Sequence, residues 1–185
     1  PRRAGLVEAM GRIESLLAPG ADRPTGKVEL RDPAPGDLGW VVERHGELYS
    51  AEHGFGAEFE RLVAKVVGEF AATPASPRSR CWIATLDGVR AGSIFLMPAS
   101  DEGAKLRLLL VEPWARGHGI GERLVDACLA GARSAGYLRM TLWTNSTLDA
   151  ARRIYQKKGF RLVGSAPSPL FPAGQLGQTW ELELR

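Results

Sequence analysis

The stretch Leu108-Leu109-Leu110-Val111-Glu112-Pro113-Trp114-Ala115-Arg116-Gly117-His118-Gly119-Ile120-Gly121 decides how this chain is read. An apolar run stops at Pro113, a loop with three glycines turns, and a helical pattern begins at about Ile120. Gly117, Gly119 and Gly121 remove Cβ atoms where a backbone must bend or meet a ligand closely. Consecutive N–H groups at a helix start can converge on an anion, helped by the helix dipole. Arg116 adds a permanent charge with several donors. The chemistry expected of Arg116, Gly117, His118, Gly119, Ile120 and Gly121 is therefore pyrophosphate binding.

Working outward, Lys105–Val111 is nearly all apolar after Leu106 and reads as a strand buried on both faces. Upstream, Cys81–Leu86 and Val89–Met97 flank Asp87-Gly88, a two-residue hairpin signal. Earlier still lie a short strand, Lys27–Arg31, and two amphipathic helices, the first capped by Asp37 and carrying His45 and Tyr49, the second carrying Phe59 to Phe70. Downstream, the helix at about 120–135 is followed by a strand at Leu138–Trp143, a helix at Thr147–Lys158 ended by Gly159, and strands at Phe160–Val163 and Thr179–Leu184. The order predicts a mixed α/β sheet with helices packed on it.

The 185 residues suit one domain, placed at 25–185. Residues 1–24 read as an amphipathic helix and a polar linker, and the start at Pro1 rather than Met suggests a piece of something longer. Composition, 44% hydrophobic and 24% charged, suits a soluble globule, and a net charge of +3 suits an anionic ligand without demanding nucleic acid. Two cysteines, Cys81 and Cys128, make neither a disulfide scaffold nor a zinc site, so a cytoplasmic setting and no metal are expected. No apolar run approaches membrane-span length and no signal peptide is visible, so no membrane partner is expected.

Two common phosphate loops fail on detail. A P-loop needs Gly-Lys followed by Ser or Thr, and Glu122 follows Gly121. A dinucleotide fingerprint needs Gly-x-Gly-x-x-Gly and a later acidic residue, and Leu138–Thr144 has none. The pattern that fits is Arg-x-x-Gly-x-Gly after a strand ending in Val-x-Pro. Together with a second signature, Ala151-x-x-Ile154-Tyr155-x-x-x-Gly159-Phe160, it resembles the GNAT acetyltransferases over roughly residues 26–185. The text around His45–Gly54, Lys105–Gly121 and Gln178–Leu184 is similar to the acetyltransferase half of bacterial MarR–acetyltransferase fusions, in which the helix at 4–17 would be the tail of a DNA-binding half.

The resemblance implies a central, mostly antiparallel mixed sheet with a V-shaped splay and helices on both faces. It implies acetyl-CoA as co-substrate and direct acetyl transfer to a primary amine, on a small molecule, peptide or protein. Leu110 and Val111 match the splayed strand positions whose backbone holds pantetheine. Tyr155 matches the tyrosine that protonates the departing thiolate, and Asn145 a polar residue that contacts the cofactor. Glu52 and His45 are candidates for the acceptor site or a proton relay, since Lys105–Val111 holds no acid. The Pro- and Gly-rich segment Ser165–Gly177 is expected at the acceptor entrance. DNA enters only through a preceding domain, and the apolar N-terminal helix offers a surface for a homodimer. The competing reading is a non-catalytic acyl-CoA sensor attached to a transcription regulator.

Overall fold

A computed structural model describes Met10 and residues 26–73 and 75–184. The expected N-terminal helix and linker at 1–24 lie outside the described residues. Seven strands and four helices follow in the order β1 (Val28–Arg31), α1 (Asp37–His53), α2 (Ala57–Ala72), β2 (Arg80–Leu86), β3 (Val89–Pro98), β4 (Gly103–Val111), α3 (Ile120–Ser134), β5 (Arg139–Asn145), α4 (Asp149–Lys157), β6 (Arg161–Pro167) and β7 (Leu176–Glu183). The sheet order is β1-β2-β3-β4-β5-β7-β6, and every neighbour pair is antiparallel except β4–β5.

Alternation along β2 and β3 divides the core. Trp82, Ala84, Leu86, Ile94 and Leu96 face α3, while Cys81, Ile83, Phe95 and Met97 face α1 and α2. The helix α3 presents Ile120, Leu124, Val125, Cys128, Leu129 and Ala132, a 3–4 repeat, to the first layer. Fully burying each of its larger apolar side chains contributes about 1.5–3 kcal/mol. Trp40, Val41, Val63, Val66 and Val67 close the opposite layer. Cys81 and Cys128 thus lie on opposite faces as free buried thiols.

Several local expectations change. Asp37 does not cap α1, because Gly36 occupies that position and no side-chain cap bond forms. The Asp37 carboxylate instead accepts Arg31 and the Ala34 N–H (2.6 Å). Burial alone would raise its pKa, but these bonds and the charges of Arg31 and Arg90 hold it below the usual range. The strands buried on both faces are β2 and β3 rather than β4, whose Arg107, Leu108 and Leu109 are only half-buried. The helix expected from Thr147 begins at Asp149, because the Asn145 side chain makes a turn by accepting the Thr147 N–H at 2.8 Å.

Candidate active site

The parallel pair β4–β5 holds only from Gly103↔Arg139 to Leu106↔Leu142. Beyond that point β4 stays on β3 and β5 on β7, so the sheet opens in a V. At its apex β4 carries a bulge: Leu108 and Leu109 together oppose Ile94, and Leu108 sits at φ +51°. The Ser93 hydroxyl donates to the Leu108 carbonyl at 3.1 Å and holds that strained residue in place. Across the same trans peptide, the Leu109 N–H points the opposite way, into the V. The Leu109 carbonyl also faces away from β3 and accepts the Tyr49 hydroxyl at 3.1 Å.

Further along, the Glu112 N–H donates to Ala91 at 2.9 Å and Leu110 pairs with Ser93. The antiparallel alternation then gives Leu110's main-chain groups to β3 and turns those of Val111 toward the V. Leu110 lines the cleft, but Leu109, not Leu110, joins Val111 in offering backbone to it. The sequence could not show this, because the bulge shifts the alternation by one residue.

The V continues into a cleft of about 600 Å³ lined by Val111, Arg116, Gly117, Gly119, Ile120 and Gly121. Gly119 has φ +73°, and a Cβ there would meet nothing within 4 Å, so the backbone conformation favours glycine and the space beside it stays open. At Gly121 a Cβ would lie 3.0 Å from Ile154 Cδ1 and 3.5 Å from Val111 Cγ2, so α3, α4 and β4 pack closely there and a side chain would have to displace Ile154. Helix geometry leaves the first-turn N–H groups of α3 without intrahelical acceptors. Glu122, the one acid in that turn, is held by Lys157 (2.7 Å) and Lys158 (3.0 Å), which offsets its repulsion of an incoming anion.

Glu52 lies at this glycine-lined end of the cleft, accepting two bonds from Arg116 Nη2 (2.9 and 2.8 Å), and does not line the cavity that holds Tyr155. His118 is half-buried with Nδ1 3.1 Å from the Ala115 carbonyl, and its ring bonds the loop rather than lining the cleft. Glu112 is buried and paired with Arg44 at 2.6 and 2.9 Å.

On the other side of Tyr49 and Leu109, which line both spaces, is a smaller cavity of about 90 Å³. Phe55, Phe59, Trp143 and Phe171 wall it. Phe171 stacks on Trp143 (4.8 Å between centroids) and leans on Phe55 (4.9 Å), so the segment between β6 and β7 borders this cavity. Tyr155 lines it from α4. It is 4% exposed, its hydroxyl makes no hydrogen bond among the described residues, and burial pushes its pKa far up. His45 lines it from α1, with Nδ1 2.8 Å from the Val41 carbonyl and Nε2 buried without a partner among the described residues. Burial lowers the His45 pKa to about 4, so the ring is neutral at pH 7 and its Nε2 presents a lone pair.

Asn145 also lines the cavity, but its amide is spent on Gln175 (2.8 Å) and on Thr147 (2.8 and 2.9 Å). It shapes the β5–α4 turn and is absent from the lining of the larger cleft. Arg107, half-buried on β4, is the one charged side chain lining the smaller cavity. Among the described residues, no three His, Cys, Asp or Glu side chains cluster as a metal site, and no helix is long and apolar enough to cross a membrane.

Comparison with known proteins agrees with this geometry. Residues 77–162 match the acetyltransferase (GNAT) domain. The chain is 28% identical to the mycothiol acetyltransferase of Beutenbergia cavernae over 183 aligned positions, covering 88% of this chain and 61% of that protein. Thus the chain spans about three-fifths of that relative's length. The fold is shared with a GCN5-related N-acetyltransferase from Kribbella flavida (TM-score 0.69, 22% identity, 84% of this chain and 97% of the other). It is shared also with a Salmonella typhimurium acetyltransferase solved with its cofactor acetyl-CoA (TM-score 0.63, 15% identity, 85% and 94%). The chain has the fold of these acetyltransferases, and its residues 77–162 match the GNAT acetyltransferase domain.

Proposed function

We propose that this protein transfers an acetyl group from acetyl-CoA to a primary amine by direct attack in a ternary complex. The observation that carries the reading is the V at β4–β5, with Leu109 and Val111 turned into it and a glycine-lined helix start at its far end. The cleft's volume lies within the usual range for ligand sites, and the open space beside Gly119 suits a pyrophosphate on the first turn of α3. Arg116 contributes charge there, with Glu52 orienting its guanidinium until a phosphate competes.

Acetyl-CoA supplies an activated thioester. The chain's own groups do the rest. Main-chain N–H and C=O groups of Val111 hold the extended arm as an added strand would be held. The Leu109 N–H is placed to stabilise negative charge on the carbonyl oxygen as the amine adds. A C–N bond forms, the C–S bond breaks, and the Tyr155 hydroxyl gives its proton to the leaving thiolate. Its raised pKa keeps it protonated until that moment. The nitrogen's surplus proton returns to the Tyr155 oxygen, directly or through water, so protons balance.

No carboxylate among the described residues lines the smaller cavity. His45 Nε2 is the acceptor that can orient the amine's N–H, and an entering ammonium releases its first proton to water. The likeness to MarR fusions, a cytoplasmic setting and homodimer formation belong to the same proposal. The gene upstream of Pro1 and the solution mass of the full protein test the first and last of these.

The test is thiol release from acetyl-CoA by the purified protein against polyamines, amino sugars, amino acids and lysine peptides. Turnover with an amine, lost in Gly119→Asp, is the expected result. CoA binding without turnover on any amine would replace the enzyme reading with the sensor reading.

A further inference from the structure

Seven arginines among the described residues are half-buried: Arg31, Arg44, Arg78, Arg80, Arg90, Arg107 and Arg152. Six have partners. Arg31 and Arg90 face Asp37, Arg44 holds Glu112 and Glu47, Arg78 reaches main-chain carbonyls, Arg80 meets Asp32, and Arg152 meets Asp149 and the Ser146 carbonyl. Arg107 has neither a carboxylate within 4 Å nor a hydrogen bond among the described residues. Burial pulls its pKa down, and Glu69 acts on it only from a distance. A desolvated guanidinium with no counter-charge is costly unless something else supplies one.

Its position says what that something is. Arg107 lies opposite Phe95 on the α1–α2 face and lines the smaller cavity together with Leu109, Tyr155 and the Phe59 and Phe171 rings. At about 3.3 Å of rise per residue, its Cα is roughly 6–7 Å along the strand from that of Leu109. A guanidinium takes a carboxylate in two parallel bonds, which fixes orientation as well as charge.

We propose that the amine acceptor carries a carboxylate close to its amino group, held by Arg107, with an apolar body against the aromatic wall. This rests on the acetyl-transfer reading above. An amino acid with an apolar side chain has all three parts. Held so, its amine is directed toward Leu109 and Tyr155, while a polyamine would bring positive charge against Arg107.

The experiment is thiol release with L-leucine and L-phenylalanine against their amides, and with spermidine, for the wild type, Arg107→Lys and Arg107→Gln. The wild type is expected to prefer each acid over its amide by about 10- to 100-fold in kcat/KM. In Arg107→Gln that preference should collapse through the KM of the acid, with the KM for acetyl-CoA unchanged, and Arg107→Lys should keep part of it.

Equal use of acid and amide by the wild type, or preference for spermidine, overturns the carboxylate and leaves acetyl transfer standing. No turnover with any amine in the wider panel overturns acetyl transfer instead. In that case the Arg107 Nε–H resonance of the CoA-bound protein, titrated with leucine and with leucinamide, still decides the carboxylate. A shift with the acid alone supports it, and the same response to both, or to neither, overturns it.

Discussion

On the proposed reading, the larger cleft takes its recognition groups mainly from main chain, Leu109 and Val111 at the bulge and the first turn of α3 beyond Gly119, with Arg116 adding one charged side chain. The smaller cavity takes its groups from side chains on five different elements: His45 on α1, Phe59 on α2, Arg107 on β4, Trp143 on β5 and Tyr155 on α4, with Phe171 from the β6–β7 segment. Main-chain recognition tolerates exchange of most side chains but not of the glycines that shape it. Side-chain recognition is the reverse, since each wall can be altered singly without moving the backbone. If acetyl-CoA takes the larger cleft and the amine the smaller cavity, as proposed, one fold can keep its donor half and change its acceptor half residue by residue.

The largest effect that would break this contrast is expected at Gly119. Replacing it with Asp places a negative charge where phosphates would sit, and like charges at a binding site cost several kcal/mol. CoA affinity by calorimetry should fall by about 10³-fold. Asp tolerates positive φ better than most residues, so the fold should survive and circular dichroism should be unchanged. Unchanged affinity would remove the pyrophosphate from this loop.

Tyr155→Phe probes the opposite half. Removing a general acid typically costs 10²–10⁴-fold, so kcat should fall by about 100-fold while CoA affinity stays within about twofold. Loss of affinity with retained turnover would make Tyr155 a cofactor contact and blur the two halves.

A smaller effect is expected in stability against pH. His45 is neutral in the fold, with its pKa lowered by burial to about 4, whereas an unfolded histidine titrates near 6.5. The unfolded chain binds the proton first, so stability is complete above pH 6.5 and is lost as pH falls toward 4. Between pH 7 and pH 5 the wild type should lose about 2 kcal/mol more than His45→Gln, measured by urea unfolding. Parallel losses in both proteins would assign the acid sensitivity to other groups.

The two halves also differ in how far the sequence reveals them. The Asp87-Gly88 hairpin, the Arg116–Gly121 loop and the Ala151–Phe160 signature are local patterns, and each stands where its residue spacing puts it. The bulge at Leu108 depends on Ser93, fifteen positions away, so the one-residue shift from Leu110 to Leu109 has no local sign. Arg107 reads as an ordinary outward residue of an apolar strand until β5 parts from β4. The wall of Phe55, Phe59, Trp143 and Phe171 spans more than a hundred residues of chain, and only the tertiary fold assembles it. The part of Asn145 in the β5–α4 turn likewise needs Gln175 from the far side of β6.

Tyr49 belongs to both halves, and it gives the sharpest small test. Its ring stacks on His45 at 5.5 Å in the smaller cavity, while its hydroxyl fixes the Leu109 carbonyl. Burial raises its pKa to about 12, so it stays a donor through the working range. Tyr49→Phe keeps the ring and deletes one hydrogen bond, worth about 1 kcal/mol. If that bond sets the Leu109 peptide plane, kcat should fall about fivefold with little change in the KM for either substrate, because the donor N–H is then misaimed only as charge develops. If the hydroxyl merely fills the cavity, the acceptor KM should move and kcat should not. The first outcome makes backbone orientation the link through which the acceptor half acts on the donor half; the second makes the halves independent.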